Sequence, residues 1–267
     1  MSLVNDLWTY RGLVGNLAQR ELKSRYKRSI LGWAWSLVNP AATLATYAIV
    51  FGVLFKPVPE VAGNGKFSSF AMFLFAGLVI WNFFSSVVNG SMSALIGAGP
   101  LLKKVYFPAE CAPAANMLVA MSQACIEATI LVVIMIAVGN AGWTMVLVPV
   151  VLVLLGVFAF GIGLALSVAN VYLRDIAYLV AVLMNLVFYS TPIIWNIKLL
   201  DGKPRWTRQL VQANPIHQFV EALRDAVYHL EWPSLGRLSY LVIVSFATFA
   251  LGWAIFRRFG DRVSEAL

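Results

Sequence analysis

Five long stretches of the chain carry almost no charged residue, and their lengths predict how often the chain crosses a membrane. An apolar helix needs about 20 residues to span a bilayer. The stretch 111–173 is too long for one span, and the turn sequence Gly139-Asn140-Ala141-Gly142 divides it in two. The pattern therefore predicts six spanning helices, at about residues 30–55, 67–95, 113–138, 144–170, 176–197 and 238–256.

The distribution of basic residues predicts the orientation of these spans. Six crossings leave both termini on the same side of the membrane. Lysines and arginines gather before the first span, after the second and after the last, whereas the first two loops on the other side hold only Lys56 and Lys66. Short loops rich in basic residues stay inside, so we expect both termini to be cytoplasmic.

Residues 1–28, ahead of the first span, have the periodicity of an amphipathic helix. Apolar residues recur at helical spacing on one face, and basic residues, including Arg20, Lys23 and Lys27, occupy another. Such a helix should lie along the cytoplasmic membrane surface. It would serve either as an anchor to anionic lipid or as a docking surface for a cytoplasmic partner, and periodicity alone favours the anchor.

Residues 204–231 predict a different element on the outer side. Asn214 and Pro215 form a helix stop followed by a restart, with Asn214 as the N-cap and Pro215 in the first turn. Phe219 and Leu223 belong to the apolar stripe that follows. Two short helices at this place favour a re-entrant or surface hairpin, because irregular structure at membrane depth needs protein or water beside it. The alternative is an ordinary loop on lipid headgroups.

Composition agrees with a membrane protein. Of 267 residues 60% are hydrophobic and 12% are charged, and the mean hydropathy is +0.79. These values exclude a soluble globular domain and a disordered chain. The net charge of +8 reflects orientation rather than nucleic-acid binding. The predicted class is an all-α integral membrane protein, with residues 29–267 forming the membrane domain.

Motifs for catalysis are missing from the sequence. The segment Gly63-Asn64-Gly65-Lys66 is no phosphate-binding loop, because Glu60 stands where its first glycine belongs and Phe67 where Ser or Thr would hold magnesium. His217 and His229 have no metal-ligand spacing, and neither do the two cysteines. We expect no catalytic residue, no metal site and no cofactor on this chain.

Glu127 is the one charged residue within a predicted span. A carboxylate there costs about 2.5–3.5 kcal/mol on insertion scales, so it should face the bundle interior or a cavity. It would either belong to a substrate path or proton relay, or be a protonated or hydrogen-bonded glutamate that fixes helix packing. The lack of an intramembrane basic partner favours packing.

Aromatic residues form two stripes at helical spacing. One runs along the first span and the other along the second. For either stripe, packing or an interfacial belt is favoured, and the alternative is a path on which sugar rings stack. The residues are Tyr47, Phe51 and Phe55, then Phe70, Phe73, Trp81 and Phe84.

Several stretches together are similar to one family. They are RELKSRYKRSILGWAWSLVNP at residues 20–40, LLKKVYFPAECAP at 101–113, YLRDI at 172–176, and Asn214-Pro215-Ile216 ahead of Glu221 and Arg224. In this order the chain resembles the transmembrane subunit of bacterial ABC exporters of surface polysaccharides, the O-antigen, teichoic acid and galactan permeases. The resemblance covers essentially the whole chain.

The resemblance implies a homodimer in the bacterial plasma membrane that encloses one path for a polyprenyl-diphosphate-linked glycan. Two copies of a separate ATPase subunit would bind ATP and magnesium, giving a 2:2 complex. It places ATPase docking on the N-terminal helix and the cytoplasmic coupling loop 101–110, and closure of the path on the outer hairpin. The docking residues implied are Arg20, Lys23, Lys27, Leu102, Lys103, Lys104, Val105, Tyr106 and Phe107, and those of the outer gate are Asn214, Pro215, Phe219 and Leu223.

Two other functions remain open from the sequence. One is an ABC exporter permease for a small drug or a lipid. The other is an integral membrane glycosyl- or acyltransferase, which would require an acid/base or metal-binding cluster at one membrane face. Only scattered single charges occur there.

Overall fold

The computed structural model describes residues 8–27, 29, 31–50, 61–105, 107–260 and 263. These ranges are helices and connecting turns, with one isolated antiparallel bridge between Val61 and Ser68. In chain order the helices are α1 Arg11–Tyr26, α2 Trp35–Ile49, α3 Phe70–Leu102, α4 Cys111–Ala137, α5 Leu147–Tyr172, α6 Ile176–Ser190, α7 Arg205–Ala213, α8 Pro215–Arg224 and α9 Leu235–Gly260.

Four of the described helices are long and apolar enough to cross a bilayer: α3, α4, α5 with its preceding 3-10 turn, and α9. The 33 residues of α3 extend about 50 Å at 1.5 Å per residue, well beyond a hydrocarbon core of about 30 Å. The helical membrane class predicted from composition is confirmed. The total of six spans and the cytoplasmic position of both termini stay predictions.

The fifth predicted span ends earlier than the charge-free run suggested. The prediction placed it at 176–197, but α6 stops at Ser190. Pro192 has no backbone N–H to continue the helix, and it forces Thr191 into an extended conformation. With 15 residues α6 is about 22 Å long, shorter than the hydrocarbon core.

The first predicted span is described only in part, and the second observed helix is longer than its predicted span. α2 ends at Ile49, and the predicted continuation to residue 55 lies outside the described residues. The second span was predicted to end at about residue 95, but α3 continues past Gly97 and Pro100 to Leu102. Pro100 lies in the last turn, so only two residues follow the place where its missing N–H weakens the helix.

The core forms around α3, which packs against α4, α5 and α8. α5 in turn packs against α9, and glycines lie at this contact. A Cβ added to Gly252 would lie 1.9 Å from the carbonyl oxygen of Gly161, so the two backbones need glycine at this crossing. Small residues at helix crossings are typical of membrane bundles.

The N-terminal helix is held by protein as well as by any lipid. α1 packs against α4, and Val14 and Ala18 are buried. Arg20, Lys23 and Lys27 are exposed, as the amphipathic pattern predicted. Residues 1–7 lie outside the described residues.

Candidate functional site

One face of α3 is polar, although the rest of the helix is apolar. Asn82, Ser85, Ser86, Asn89 and Ser93 recur every three or four residues and therefore lie on one side of the helix. We call them the polar stripe. Its residues 82, 86 and 93 are exposed on the protomer. Exposed polar groups at membrane depth are expected beside water or protein rather than lipid.

A cavity of about 560 Å³ opens beside this stripe, between α2, α3 and α4. Trp35 and Trp81 contribute indole rings to its wall, and Asn82 and Gln123 contribute carboxamides. Glu127 is the only ionisable side chain among the described residues that line it. The cavity thus combines aromatic, amide, hydroxyl and carboxylate groups on the side of α3 that faces away from the buried core.

Hydrogen bonds from two helices hold the Glu127 carboxylate at the cavity wall. Asn82 on α3 donates from Nδ2 to Oε2 at 3.3 Å, and Gln123 on α4 donates from Nε2 to Oε1 at 3.3 Å. Gln123 also donates to the carbonyl oxygen of Ser36 on α2, at 3.2 Å. Glu127 is 7% exposed. It therefore lies beside a cavity, as its burial cost predicted, and the bonds join three helices there.

The predicted aromatic path residues of α3 lie in different surroundings. Trp81 lines the cavity with Glu127. Phe73 and Phe84 lie in the protein interior, on the side of α3 opposite the polar stripe, and Phe84 stacks on Phe158 of α5 with ring centroids 5.8 Å apart. Buried rings of this kind pack the protomer.

The remaining four predicted path residues belong to the first span and to the start of α3. Phe70 and Tyr47 are partly buried, and the Phe70 ring lies 6.3 Å from that of Phe73. Phe51 and Phe55 lie outside the described residues. A path along these four side chains stays a prediction.

Arg224, at the end of α8, is fully buried and ties the outer hairpin to the bundle. Its guanidinium donates to the carbonyl oxygens of Phe73 at 3.2 Å, Pro192 at 2.8 Å and Ile193 at 2.9 Å. It also donates to Glu221 Oε1 at 3.0 Å and lies 3.5 Å from the centre of the Phe73 ring. One side chain thus joins α8, α3 and the segment after α6.

Two of the carbonyl groups that Arg224 binds are available because helix α6 ends just before them. Pro192 ends α6, which leaves the carbonyls of residues 192 and 193 without helical partners. Gly77 gives the guanidinium room, since a Cβ there would lie 3.1 Å from its Nη2. The short α6 and the buried arginine are therefore parts of one arrangement.

Asn140, which is fully buried in the turn between α4 and α5, joins three segments of the chain. Its Nδ2 donates to the carbonyl oxygens of Val227 at 2.9 Å and Tyr228 at 3.0 Å, and its Oδ1 accepts from the backbone N–H of Asn64 at 2.9 Å. Gly63 donates to the Tyr228 carbonyl at 2.9 Å. The hairpin is thereby fixed to two loops as well as to α3.

His217 on α8 is buried beside charged neighbours, and its Nδ1 has no hydrogen-bond partner among the described residues. Burial lowers the pKa of the imidazole to about 4, with Glu221 opposing and Arg224 and Arg237 adding to the shift. His217 is therefore neutral near pH 7. Burial also raises the pKa of Asp225, against the effect of its salt-bridge partner Arg237.

The helices of the outer hairpin agree with the sequence prediction. Asn214 caps α8 by accepting from the Ile216 N–H at 2.9 Å, and Pro215 is the first residue of that helix. Asn214 also donates to the Thr191 hydroxyl at 2.9 Å. Phe219 and Leu223 are fully buried, so these two predicted gate residues pack the hairpin onto the bundle. Closure of a path by the hairpin stays a prediction.

The coupling loop presents only part of its predicted docking residues. Lys103, Lys104 and Val105 are exposed, Leu102 is partly buried, and Phe107 is 5% exposed within the core. Tyr106 lies outside the described residues. Phe107 therefore anchors the loop from inside, which leaves Val105, 56% exposed, as its described apolar contact surface.

Sequence reasoning missed the polar stripe, the role of Arg224 and that of Asn140. The stripe has a readable signal, since polar residues at intervals of three or four within an apolar helix indicate one polar face. In the sequence, Arg224 stands out only with Glu221 as part of a family-like motif, and Asn140 only as part of a turn. Their partners lie far away in the chain, so local sequence carries no sign of them.

A bundle with four helices long and apolar enough to cross a bilayer, and with a polar cavity between α2, α3 and α4, defines the class of multi-pass membrane proteins. The chain belongs to the ABC-2 type transporter family, whose model matches residues 13–228. This confirms the resemblance found in the sequence. Membership implies a partner ATPase subunit and a place in the bacterial inner membrane.

Relatives match along nearly the whole chain. The O-antigen export system permease protein RfbA of Myxococcus xanthus is 30% identical over 267 residues, 99% of each chain. A Klebsiella pneumoniae protein of the same name is 26% identical, covering 94% of this chain and 93% of its own. The polysialic acid transport protein KpsM of Escherichia coli is 26% identical, covering 89% and 90%. These relatives are transport permeases, so this chain is a permease subunit and not an enzyme.

Proposed function

We propose that this chain is the membrane subunit of an ATP-driven exporter of polysaccharide carried on a polyprenyl diphosphate, from the cytoplasmic to the outer side of the membrane. The observation that carries the proposal is the similarity over 99% of the chain to a permease named for O-antigen export. The polar stripe supports it, because a hydroxyl-rich chain crossing a membrane needs hydrogen-bonding groups along its route.

The working complex would contain two copies of this chain and two ATPase subunits, with ATP and magnesium bound by the latter. The exposed basic residues of α1 and the coupling loop support a cytoplasmic docking face. A path between two copies is supported by the exposure of Asn82, Ser86 and Ser93 on the single protomer. A lipid exporter would have less use for such a stripe.

Deletion of the gene in its native bacterium tests this function. Surface polysaccharide should disappear while lipid-linked polysaccharide accumulates on the cytoplasmic side of the inner membrane, and a plasmid copy should restore export. Both pools are measured by gel electrophoresis of surface and membrane fractions. Unchanged surface polysaccharide together with new sensitivity to a small toxic compound would instead identify a drug exporter.

A further inference from the structure

The cavity beside the polar stripe has the chemistry of a carbohydrate site. Its wall offers two indole rings, at Trp35 and Trp81, on which the apolar C–H faces of a sugar ring can pack. Amides of Asn82 and Gln123 and the Glu127 carboxylate surround them, with serine hydroxyls nearby. Sugar hydroxyls act as donor and acceptor at once, so a mixed set of this kind matches them.

We propose that this cavity binds one neutral sugar ring of the exported glycan, with the Glu127 carboxylate accepting hydrogen bonds from its hydroxyl groups. This inference rests on the proposed function and adds a defined contact point to it. The cavity, about 560 Å³, lies within the range of about 300–1,000 Å³ typical of small-molecule sites.

The carboxylate is oriented for this role. Asn82 and Gln123 each donate to a different oxygen of Glu127, which fixes its plane from α3 and α4. A carboxylate has about four acceptor positions, so these two bonds leave capacity for a ligand. Since Trp35 comes from α2, the site is assembled from three helices and would respond to movement between them.

The charge of the cavity disfavours binding of the diphosphate group of the substrate. No arginine, lysine or histidine is found among the described residues that line the cavity, and Glu127 would repel a diphosphate. A polyprenyl tail is excluded by the polar wall, because its packing would leave amide and carboxylate groups without partners. The neutral glycan is the remaining component.

Site-specific photocrosslinking tests the proposal in cells that are exporting their own glycan. p-Benzoylphenylalanine placed at Trp35 replaces one aromatic ring by another, and the same probe at Val133, 58% exposed near the C-terminal end of α4 and away from the cavity, is the control. Irradiation should attach saccharide at Trp35 and not at Val133. The adduct should be sensitive to periodate and absent from a strain whose glycan synthesis is blocked.

Other adducts at Trp35 have defined meanings. Attachment to lipid alone, or to a second copy of this chain alone, would overturn the sugar site. The proposed function is judged separately by gene deletion: if deletion abolishes surface glycan but Trp35 yields no saccharide adduct, only the sugar site is wrong. If deletion leaves surface glycan intact, the export function itself is wrong.

A second experiment separates binding from packing at Glu127. Glu127→Gln keeps the size of the side chain and removes its charge, and a hydrogen bond to a charged acceptor is stronger than one to an amide. Initial export rate should fall about tenfold at normal protein levels. Thr129→Val, exposed on the same helix, is the matched control and should export normally. Wild-type export by Glu127→Gln would overturn the proposed role of the carboxylate.

Discussion

Arg224 shows how a single side chain can organise an outer hairpin. A buried charge is tolerated only when it is paired and hydrogen-bonded, and here four oxygen acceptors and the Phe73 ring surround the guanidinium. Three of the acceptors are backbone carbonyls, so the contact depends on the course of the chain more than on particular partner side chains. The fixed fork of arginine suits this arrangement better than lysine.

Removing this side chain should destabilise the protein strongly. Arg224→Ala leaves the Pro192 and Ile193 carbonyls and the Glu221 carboxylate without this donor and should cost about 3–5 kcal/mol of unfolding free energy. Arg208→Ala is the control, because Arg208 forms only an exposed ion pair with Asp201 and should change stability by less than about 1 kcal/mol. Thermal unfolding of the purified complex in detergent measures both. Equal melting temperatures for the two variants would show that Arg224 does not hold the hairpin.

His217 predicts a dependence of stability on pH. Its folded pKa of about 4 lies below the unfolded value of 6.5, so the unfolded chain binds the proton first as pH falls. Lowering the pH from 7 to 5 should therefore cost about 2 kcal/mol through this residue. Between pH 7 and pH 5, the melting temperature of the His217→Gln variant should therefore fall less than that of the wild-type protein. The same pH dependence in both proteins would assign it to other groups.

At the scale of helices, the sequence predicts the long elements well and their ends poorly. Runs without charge gave α3, α4, α5 and α9 because length and hydropathy decide whether a helix can span. The end of α6 was missed although Pro192 was readable, since the apolar run continued past it. The lining of the cavity was missed because polar but uncharged residues do not interrupt such a run.

The coupling loop allows a prediction about contact with the ATPase. Val105→Asp places a charge on an exposed apolar residue and should uncouple ATP hydrolysis from export without lowering the melting temperature. Leu199→Asp, equally exposed in the turn after α6, should export normally. The measured quantity is glycan exported per ATP hydrolysed. Normal coupling in Val105→Asp would place the contact elsewhere.

Neighbouring positions in the loop should behave differently from one another. Tyr106→Ala should uncouple more severely than Lys104→Ala, because buried aromatics hold most of the energy in small contacts while lysines steer. Phe107→Ala should instead lower the amount of folded protein, since Phe107 is part of the core. Normal export in Tyr106→Ala would remove the aromatic contact from the docking site.

For the whole molecule, energy must come from a partner. The chain has no phosphate-binding loop, so the purified permease should hydrolyse no ATP, and activity should appear when its ATPase subunit is added. Radiolabelled ATP and a homogeneous preparation provide the measurement. Robust hydrolysis by the isolated chain would contradict the assignment as a motorless subunit.

Water access to the polar stripe of α3 is the most direct test of a hydrophilic path through this protein. Ser86→Cys and Ser93→Cys, each in a background with the exposed Cys125 changed to serine, are treated with a water-soluble maleimide in the native complex in lipid nanodiscs. Val133→Cys in the same background, at an exposed position among apolar residues of α4, is the control. A thiol reacts as its thiolate, which needs water, so labelling should be fast at 86 and 93 and slow at 133. Equally slow labelling at all three positions would contradict a hydrophilic path along this face.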